Sequence, residues 1–574
     1  MTMQLILEFR EVFDEEPKEL KDYLEGISRA TMLQIGTHFL STYSTLSQSN
    51  DSRTFLSNFF SQQNQEVANE IYKKVLPLEK ESGSVHITWI HSSLRLFEYC
   101  FEHLDEHQTQ TEAEAEVNIF KAYLLLNQQY TQNEDLIDRL SRGPTNIIEW
   151  AEEFLTHSFV YSELINFSRS VLVSTQIIKT IYLFEFFERN DQYHALLREF
   201  VRAFDCTDWK EYLKKLLPLI VSILNKDRPG YLTLTIPDDN NYTRNCTFLE
   251  QLTLGQNNSV LDIDFRQLRA NPLYKVKEGS YQIIFDKFVF EKIFKGLYFY
   301  LNQLNSTLQT DKIPDFRSFW GDEYSEKLLL YNVLQETYEN RYIKFSGEKI
   351  RGTGITAEPD YYIRNGNKIF LFESKDILIK ADVKTSFDYH KIESELKKKL
   401  YFVQQNGKVK NKAVLQLINN IERILTKSFP FDERYKENSI RIYPILVLHD
   451  HQFNLAGLNV IVNSWFQDEL KKLEKDGLNI KNVSPLTIID IDTLIFYQDQ
   501  FKVRRITLNT LIEGYHKHIT YNSKRSYSDL EEKKRHVLKT LNPFSTFLSH
   551  YCSVNKIPEH PPKILSEKGF SIFK

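Results

Sequence analysis

Cysteine is nearly missing from this chain. Cys100, Cys206, Cys246 and Cys552 stand isolated among 574 residues, which excludes a disulfide framework and the paired spacing of a zinc ribbon. Lone thiols fit a reducing compartment, so a cytoplasmic protein is expected. A basic leader is lacking too. The opening Met1-Thr2-Met3-Gln4-Leu5-Ile6-Leu7-Glu8 carries only a short apolar run, so no secretory signal is expected. No uninterrupted apolar stretch reads as long enough to span a bilayer, and no membrane is expected among the partners. Positive charge is not in general excess either. A net charge of −5 argues against a protein that coats nucleic acid by bulk basicity. What is abundant is core-forming material, with 41 Phe and 31 Tyr. A chain of this length exceeds one core, and about two to four domains are expected.

The pattern changes along the chain. Residues 1–225 read as helical, with apolar residues at three- and four-residue spacing in 119–126, 147–155 and 177–187. Gly143-Pro144-Thr145 reads as a helix breaker, with Thr145 or Asn146 placed to cap the next helix. No fixed-period repeat is evident. From Lys226-Asp227-Arg228-Pro229-Gly230 the alternation becomes strand-like, at 231–236, 260–265 and 281–285, before a helix at 288–304. These features predict a helical regulatory or partner-binding region over 1–225 and a small α+β segment over 226–312. An α/β domain is predicted over 313–500, with a basic helical segment over 501–574.

Charge is distributed unevenly over those parts. Glu8, Glu11, Asp14, Glu15, Glu16, Glu19, Asp22 and Glu25 make the beginning acidic, a surface suited to a basic protein partner. Lys397, Lys398, Lys399, Lys408, Lys410 and Lys412 fall within the 313–500 segment, and Lys502, Arg504, Arg505, Lys533 and Arg535 mark the tail. Individually these are ordinary solubilising side chains. As a group they read as a phosphate-binding footprint, with Lys397, Lys398, Lys399 and Lys412 the candidate nucleic-acid contacts.

The most informative stretch is 357–376. Two arms rich in β-branched and aromatic residues, 360–363 and 368–373, flank Asn365-Gly366, the dipeptide that most readily forms a tight hairpin turn. With Asn365 and Gly366 as the turn, Arg364 faces Asn367 and Asp360 comes opposite Leu371. Alternation then puts Asp360, Leu371, Glu373 and Lys375 on one face, and Ile363, Phe370 and Phe372 on the other. Asp360 and Glu373 lie on a cross-strand diagonal, within reach of one ion. Two hard oxygen ligands beside an amine suit Mg²⁺, with Mn²⁺ able to substitute.

Pro359-Asp360 followed by Glu373-Ser374-Lys375 resembles the PD-(D/E)xK, or restriction-endonuclease-like, nuclease superfamily over about residues 315–500. The resemblance implies an α/β core with a mixed central sheet flanked by helices, in the order α-β-β-β-α-β. It implies Asp360 and Glu373 as metal ligands, the Ser374 carbonyl as a further ligand, and Lys375 as the residue that positions or stabilises the nucleophile. It also implies an acid on the preceding helix, Glu326 or alternatively Glu323, and a glutamine on the following one, Gln416. Lys412, one turn earlier, would share that face. The function expected is Mg²⁺-dependent hydrolysis of DNA phosphodiesters by an endonuclease, and analogy extends this to bacterial defence against foreign DNA. The alternative is a nuclease fold that binds nucleic acid or a partner without cutting.

Two other constellations were weighed against this one. His103-Leu104-Asp105-Glu106-His107 has the H-x-x-E-H spacing of inverted zinc metallopeptidases. His449-Asp450-His451 follows the apolar run 440–448, which holds Pro444 and is therefore expected as a first or edge strand. A further strand is expected at 486–494.

Overall fold

The computed structural model describes all residues but 1–4, 42–51, 83–84, 104, 132–145, 227–230, 256–259, 339–341, 353–356, 406, 430, 433, 437–438, 523–524, 529 and 574. The breaker Gly143-Pro144-Thr145 and most of the 226–230 junction lie outside the described residues. The chain is mostly helical and forms two compact units, Met1–Pro144 with Lys214–Lys292, and Thr145–Leu213 with Ile293–Lys574. These units do not follow the boundaries read from the sequence. Residues 145–213, read with the N-terminal region, belong with the later α/β part, for a reason visible in their packing below.

The first unit buries a cluster of aromatic side chains. Phe39 stacks on Tyr123 with ring centres 4.1 Å apart. The Tyr123 hydroxyl is satisfied in that dry interior by the Trp89 backbone, accepting from its N–H at 2.8 Å. The α+β segment contributes a three-stranded antiparallel sheet in the order Thr233–Thr235, Ser280–Ile283, Leu273–Lys277. The expected strand at 260–265 is not one. Phe265 takes a positive φ of 55° and starts the helix Arg266–Ala270.

The second unit is built around helix α1, Arg169–Arg189, and a five-stranded sheet. Within its 21 residues an 18-residue window has a mean hydropathy of 1.3, apolar and long enough to cross a membrane, and 72% of that window is buried within the protein. Ser174, Thr175, Gln176, Lys179 and Thr180 interrupt its apolar run. Inside the unit two of them take polar partners. Gln176 Oε1 accepts from the Lys295 N–H at 3.0 Å, and the Lys179 ammonium meets Asp492 at 2.5 Å.

After α1 come α2 (Phe319–Leu330), which continues as the helix Tyr331–Thr337, then α3 (Tyr389–Leu400), α4 (Ala413–Leu425), α5 (Leu458–Lys475) and α6 (Ile491–Phe496). The strands are β1 (Ile343–Ser346), β2 (Tyr361–Asn365), β3 (Lys368–Lys375), β4 (Arg441–Leu448) and β5 (Thr487–Asp490), in sheet order β5-β4-β3-β2-β1. β1, β2 and β3 form an antiparallel meander, and β3, β4 and β5 run parallel. Chain order is therefore helix, three antiparallel strands, helix, parallel strand. Between α3 and α4 a separate two-stranded ribbon, Phe402–Gln405 with Lys408–Asn411, is inserted.

β4 is an interior strand, contrary to the expectation that Pro444 would confine it to an edge. The Ile442 N–H donates to Asn482 and its carbonyl accepts from Ser484. Backbone groups two residues on, at Pro444, face the same side. There, regular pairing with β5 begins only at Ile445–Thr487, so the missing N–H of Pro444 falls in a gap of the ladder. The run expected as a strand over 486–494 ends early, because Asp490 caps α6 by accepting from the Thr493 N–H at 2.8 Å.

β2 is fixed by a buried ion pair. The Arg364 guanidinium forks onto Asp432, with Nη2 to Oδ1 at 2.9 Å, and the Tyr362 hydroxyl donates to the same carboxylate at 2.7 Å. Removing one member of a buried pair leaves the other charge uncompensated. Asp432→Ala should therefore destabilise the second unit by about 3–5 kcal/mol, read as a lowered urea midpoint. A loss below about 1 kcal/mol would mean that Arg364 finds water.

Candidate metal centre

The hairpin that carries the expected site forms, with a different register. Asn365 pairs with Lys368, so the two-residue turn is Gly366-Asn367 rather than Asn365-Gly366. Gly366 leads the turn at φ +61°, the position at which a type II′ turn calls for glycine. The pairing Tyr361–Phe372 brings Asp360 level with Glu373 rather than Leu371. A slip of two residues keeps every side chain on its expected face, so the carboxylates draw closer without changing sides.

Asp360 lies just before β2, held from behind by its own backbone. Its carbonyl accepts from the Gly347 N–H at 2.8 Å. A Cβ at Gly347 would sit 3.0 Å from the Pro359 carbonyl oxygen, so the glycine permits this approach. The Asp360 carboxylate accepts from the Ser374 N–H at 2.6 Å. A strand residue turns its N–H and C=O to the same side, so the Ser374 carbonyl is also directed toward Asp360.

Glu373 is fully buried, and Asp360 nearly so. One ammonium serves both, with Lys375 Nζ 2.6 Å from Glu373 Oε1 and 3.7 Å from Asp360 Oδ2. The second oxygen of Glu373 is buried with no hydrogen-bond partner. Burial raises both carboxyl groups above the usual range, and Asp360 raises Glu373 further. Burial alone would lower Lys375, yet Glu373 and Asp360 more than offset this and hold it charged.

α2 adds a third acid. Its hydrogen bonds run from i to i+5, a rare wide helix that recurs at functional sites. Ser325 pins it to the end of β3 by donating to Asp376 at 2.6 Å. The adjacent Glu326 accepts from the Tyr331 hydroxyl at 3.0 Å and feels Asp360. Burial and that neighbouring charge push Glu326 up to about 8. The alternative, Glu323, pairs instead with Lys327 at 2.6 Å. On the opposite face of β3, the Ser374 hydroxyl and His449 Nε2 lie 2.7 Å apart, and burial pushes His449 down to about 4. The role of His449 behind the motif is not legible from sequence. Neither is that of Glu358, buried beside Asp360 and paired with Arg351 at 2.5 Å.

The remaining expected residues divide. Lys412 ends the ribbon at the start of α4, within the field of Lys375. Gln416 is half-buried on α4, and no side-chain bond joins it to the carboxylates among the described residues. Lys397 is engaged by Glu393 at 2.8 Å and by the face of Trp465, whereas Lys398 is exposed. Lys399 lies 3.7 Å from Glu395 and within the field of Lys412.

The metallopeptidase spacing has no helix beneath it. His103 ends the helix Ile90–Glu102 and sits 2.8 Å from the Ile27 carbonyl, while Glu106 and His107 are exposed outside any helix. Without helical turns, the two histidines do not share a face. Among the described residues, the three-ligand group gathered within 4.8 Å is instead Glu163, Asp450 and His451. Lysines already serve its carboxylates. Lys295 reaches Glu163 and Asp450 at 2.9 and 3.1 Å, and Lys384 reaches Glu163 at 2.7 Å. A cation there would meet two ammonium groups.

The hairpin group is the better fit for a hard divalent ion. It offers a carbonyl and two carboxylates, one of which has a buried oxygen with nothing to accept from, in a place where like charges repel. Saturating Mg²⁺ or Mn²⁺ should raise the melting temperature, by about 2.7 kcal/mol of stability at a hundredfold excess over Kd. Asp360→Asn and Glu373→Gln should lose that response and Glu163→Gln should keep it. The reverse pattern would move the centre to Glu163. No protein-family profile, curated protein or solved structure matches the chain.

Proposed function

We propose that this chain is a divalent-cation-dependent endonuclease acting on DNA. The observation that carries the reading is the buried set Asp360, Glu373 and Lys375 at one end of β2 and β3, with Glu326 beside it. The order helix, three antiparallel strands, helix, parallel strand supports the resemblance to PD-(D/E)xK nucleases and the restriction-endonuclease-like core it implies. Defence against foreign DNA is the biological setting that this resemblance suggests.

Asp360, Glu373 and the Ser374 carbonyl would hold the cation. When bound, it supplies Lewis-acid activation of water and of the phosphoryl group. Lys375 is kept protonated by its carboxylate neighbours and donates toward negative charge developing on the phosphate. Glu326, pushed up to about 8, can take and return a proton near neutral pH at the edge of the site. Ser325 and Asp376 hold α2 so that this carboxyl stays beside the strand end.

Incubation of plasmid and linear DNA with Mg²⁺, Mn²⁺ or EDTA tests the reading. Cutting should need the cation, vanish in Asp360→Asn and Glu373→Gln, and fall about 10²–10³-fold in Lys375→Ala. The double variant His103→Ala, His107→Ala should cut at the normal rate. Full activity in Asp360→Asn would sink the assignment, and cation-dependent binding without cutting would leave the non-cleaving alternative.

A further inference from the structure

The ribbon between α3 and α4 has no part in the sheet or its core. Both of its strands are short, and every residue of Lys408–Asn411 is exposed, Val409 at 57%. At its tip Gly407 has φ +72°, and a side chain there would meet open space. The register pairs Lys408 with Gln405 and Lys410 with Val403. Side chains two apart share a face, so Lys408 and Lys410 point the same way. Lys412 is still extended, at φ −117° and ψ −172°, and continues the row. The three lysines are thus spaced about 7 Å apart along one face, ending beside Lys375.

This row is not neutralised from within. Burial, and then the charges of Lys410, Lys375 and Lys399, hold the Lys412 ammonium below the usual lysine range. Three lysines on one exposed face, with no carboxylate paired to them among the described residues, favour a partner that presents several negative charges in sequence.

We propose that the ribbon of Phe402–Gln405 and Lys408–Asn411 is a duplex-DNA wedge, in which Lys408, Lys410 and Lys412 take successive phosphates and lead the backbone to Lys375. This rests on the nuclease reading and adds the substrate form. A two-stranded ribbon fits the width of the major groove of B-form DNA, whereas the deep, narrow groove of an RNA duplex does not admit it. Single strands are held by stacking bases on open aromatic faces. The aromatic residues at the ribbon's base are engaged, with Tyr401 stacked on Trp465 at 5.9 Å and edge-on to Phe402 at 4.9 Å.

Binding can be read apart from cutting. The full chain in EDTA is titrated, by fluorescence anisotropy over a range of salt, against a labelled DNA duplex, its single strand and the corresponding RNA duplex. The DNA duplex should bind most tightly. In Lys408→Ala, Lys410→Ala its affinity should fall for every sequence tested, and the log–log salt slope should shrink by roughly two units. An unchanged slope, preference for single strands or RNA duplex, or no binding by the unaltered chain overturns the wedge. Normal cutting in Mg²⁺ with an unchanged slope refutes the wedge and leaves the nuclease intact. Ribbon-dependent binding with no cutting does the opposite.

Discussion

One ammonium between two buried carboxylates is the contact around which the site is organised. Two acids brought level on adjacent strands, out of water, repel each other strongly, and neither would stay ionised there alone. Lys375 makes the arrangement tolerable by touching both. It cannot satisfy all four carboxylate oxygens, and one of Glu373 remains without a hydrogen bond. Breaking a buried ion pair by removing one partner is far more damaging than never having built it. The sheet must therefore be rigid enough to hold the group against its own repulsion, and the structure meets that demand in layers. The apolar strand β4 packs on both faces, Arg364 and Asp432 clamp β2, and Ser325 ties α2 to the strand end.

Much of this was legible in the sequence, because strands have period two. The turn was read one residue early, yet the slip in pairing came to two, so Asp360, Glu373 and Lys375 stayed on one face and Ile363, Phe370 and Phe372 on the other. A slip of one would have dispersed the group. α4 was legible as well, because its apolar residues repeat at helical spacing. Contacts made across long sequence separations were not. Ser374 meets His449 through a parallel pairing, and nothing in the local pattern of either residue announces it. Pro444 misled because propensity describes a strand as fully paired, and here the ladder has a gap where proline stands. His103 and His107 show the converse, since their spacing means something only on a helix and the helix ends at Glu102.

The division of the chain misled for the same reason. A helical pattern says which face of α1 is apolar and nothing about which elements will cover it. Lys179, at its centre, is held by Asp492 at the start of α6, and the Tyr324 hydroxyl of α2 donates to the Lys179 carbonyl at 2.8 Å. α1 is thus part of the foundation of the second unit, although most of the first unit precedes it in the chain.

That placement has a consequence for synthesis. A ribosome releases α1 well before it has made α6, so an apolar helix emerges before an element that helps to bury it. For the interval needed to translate about three hundred more residues, seconds to a minute at ordinary rates, α1 carries apolar surface that its late partners do not yet cover. The polar residues along it, above all Lys179, weaken its attraction to lipid during that wait and become the anchors of the folded unit once Asp492 arrives.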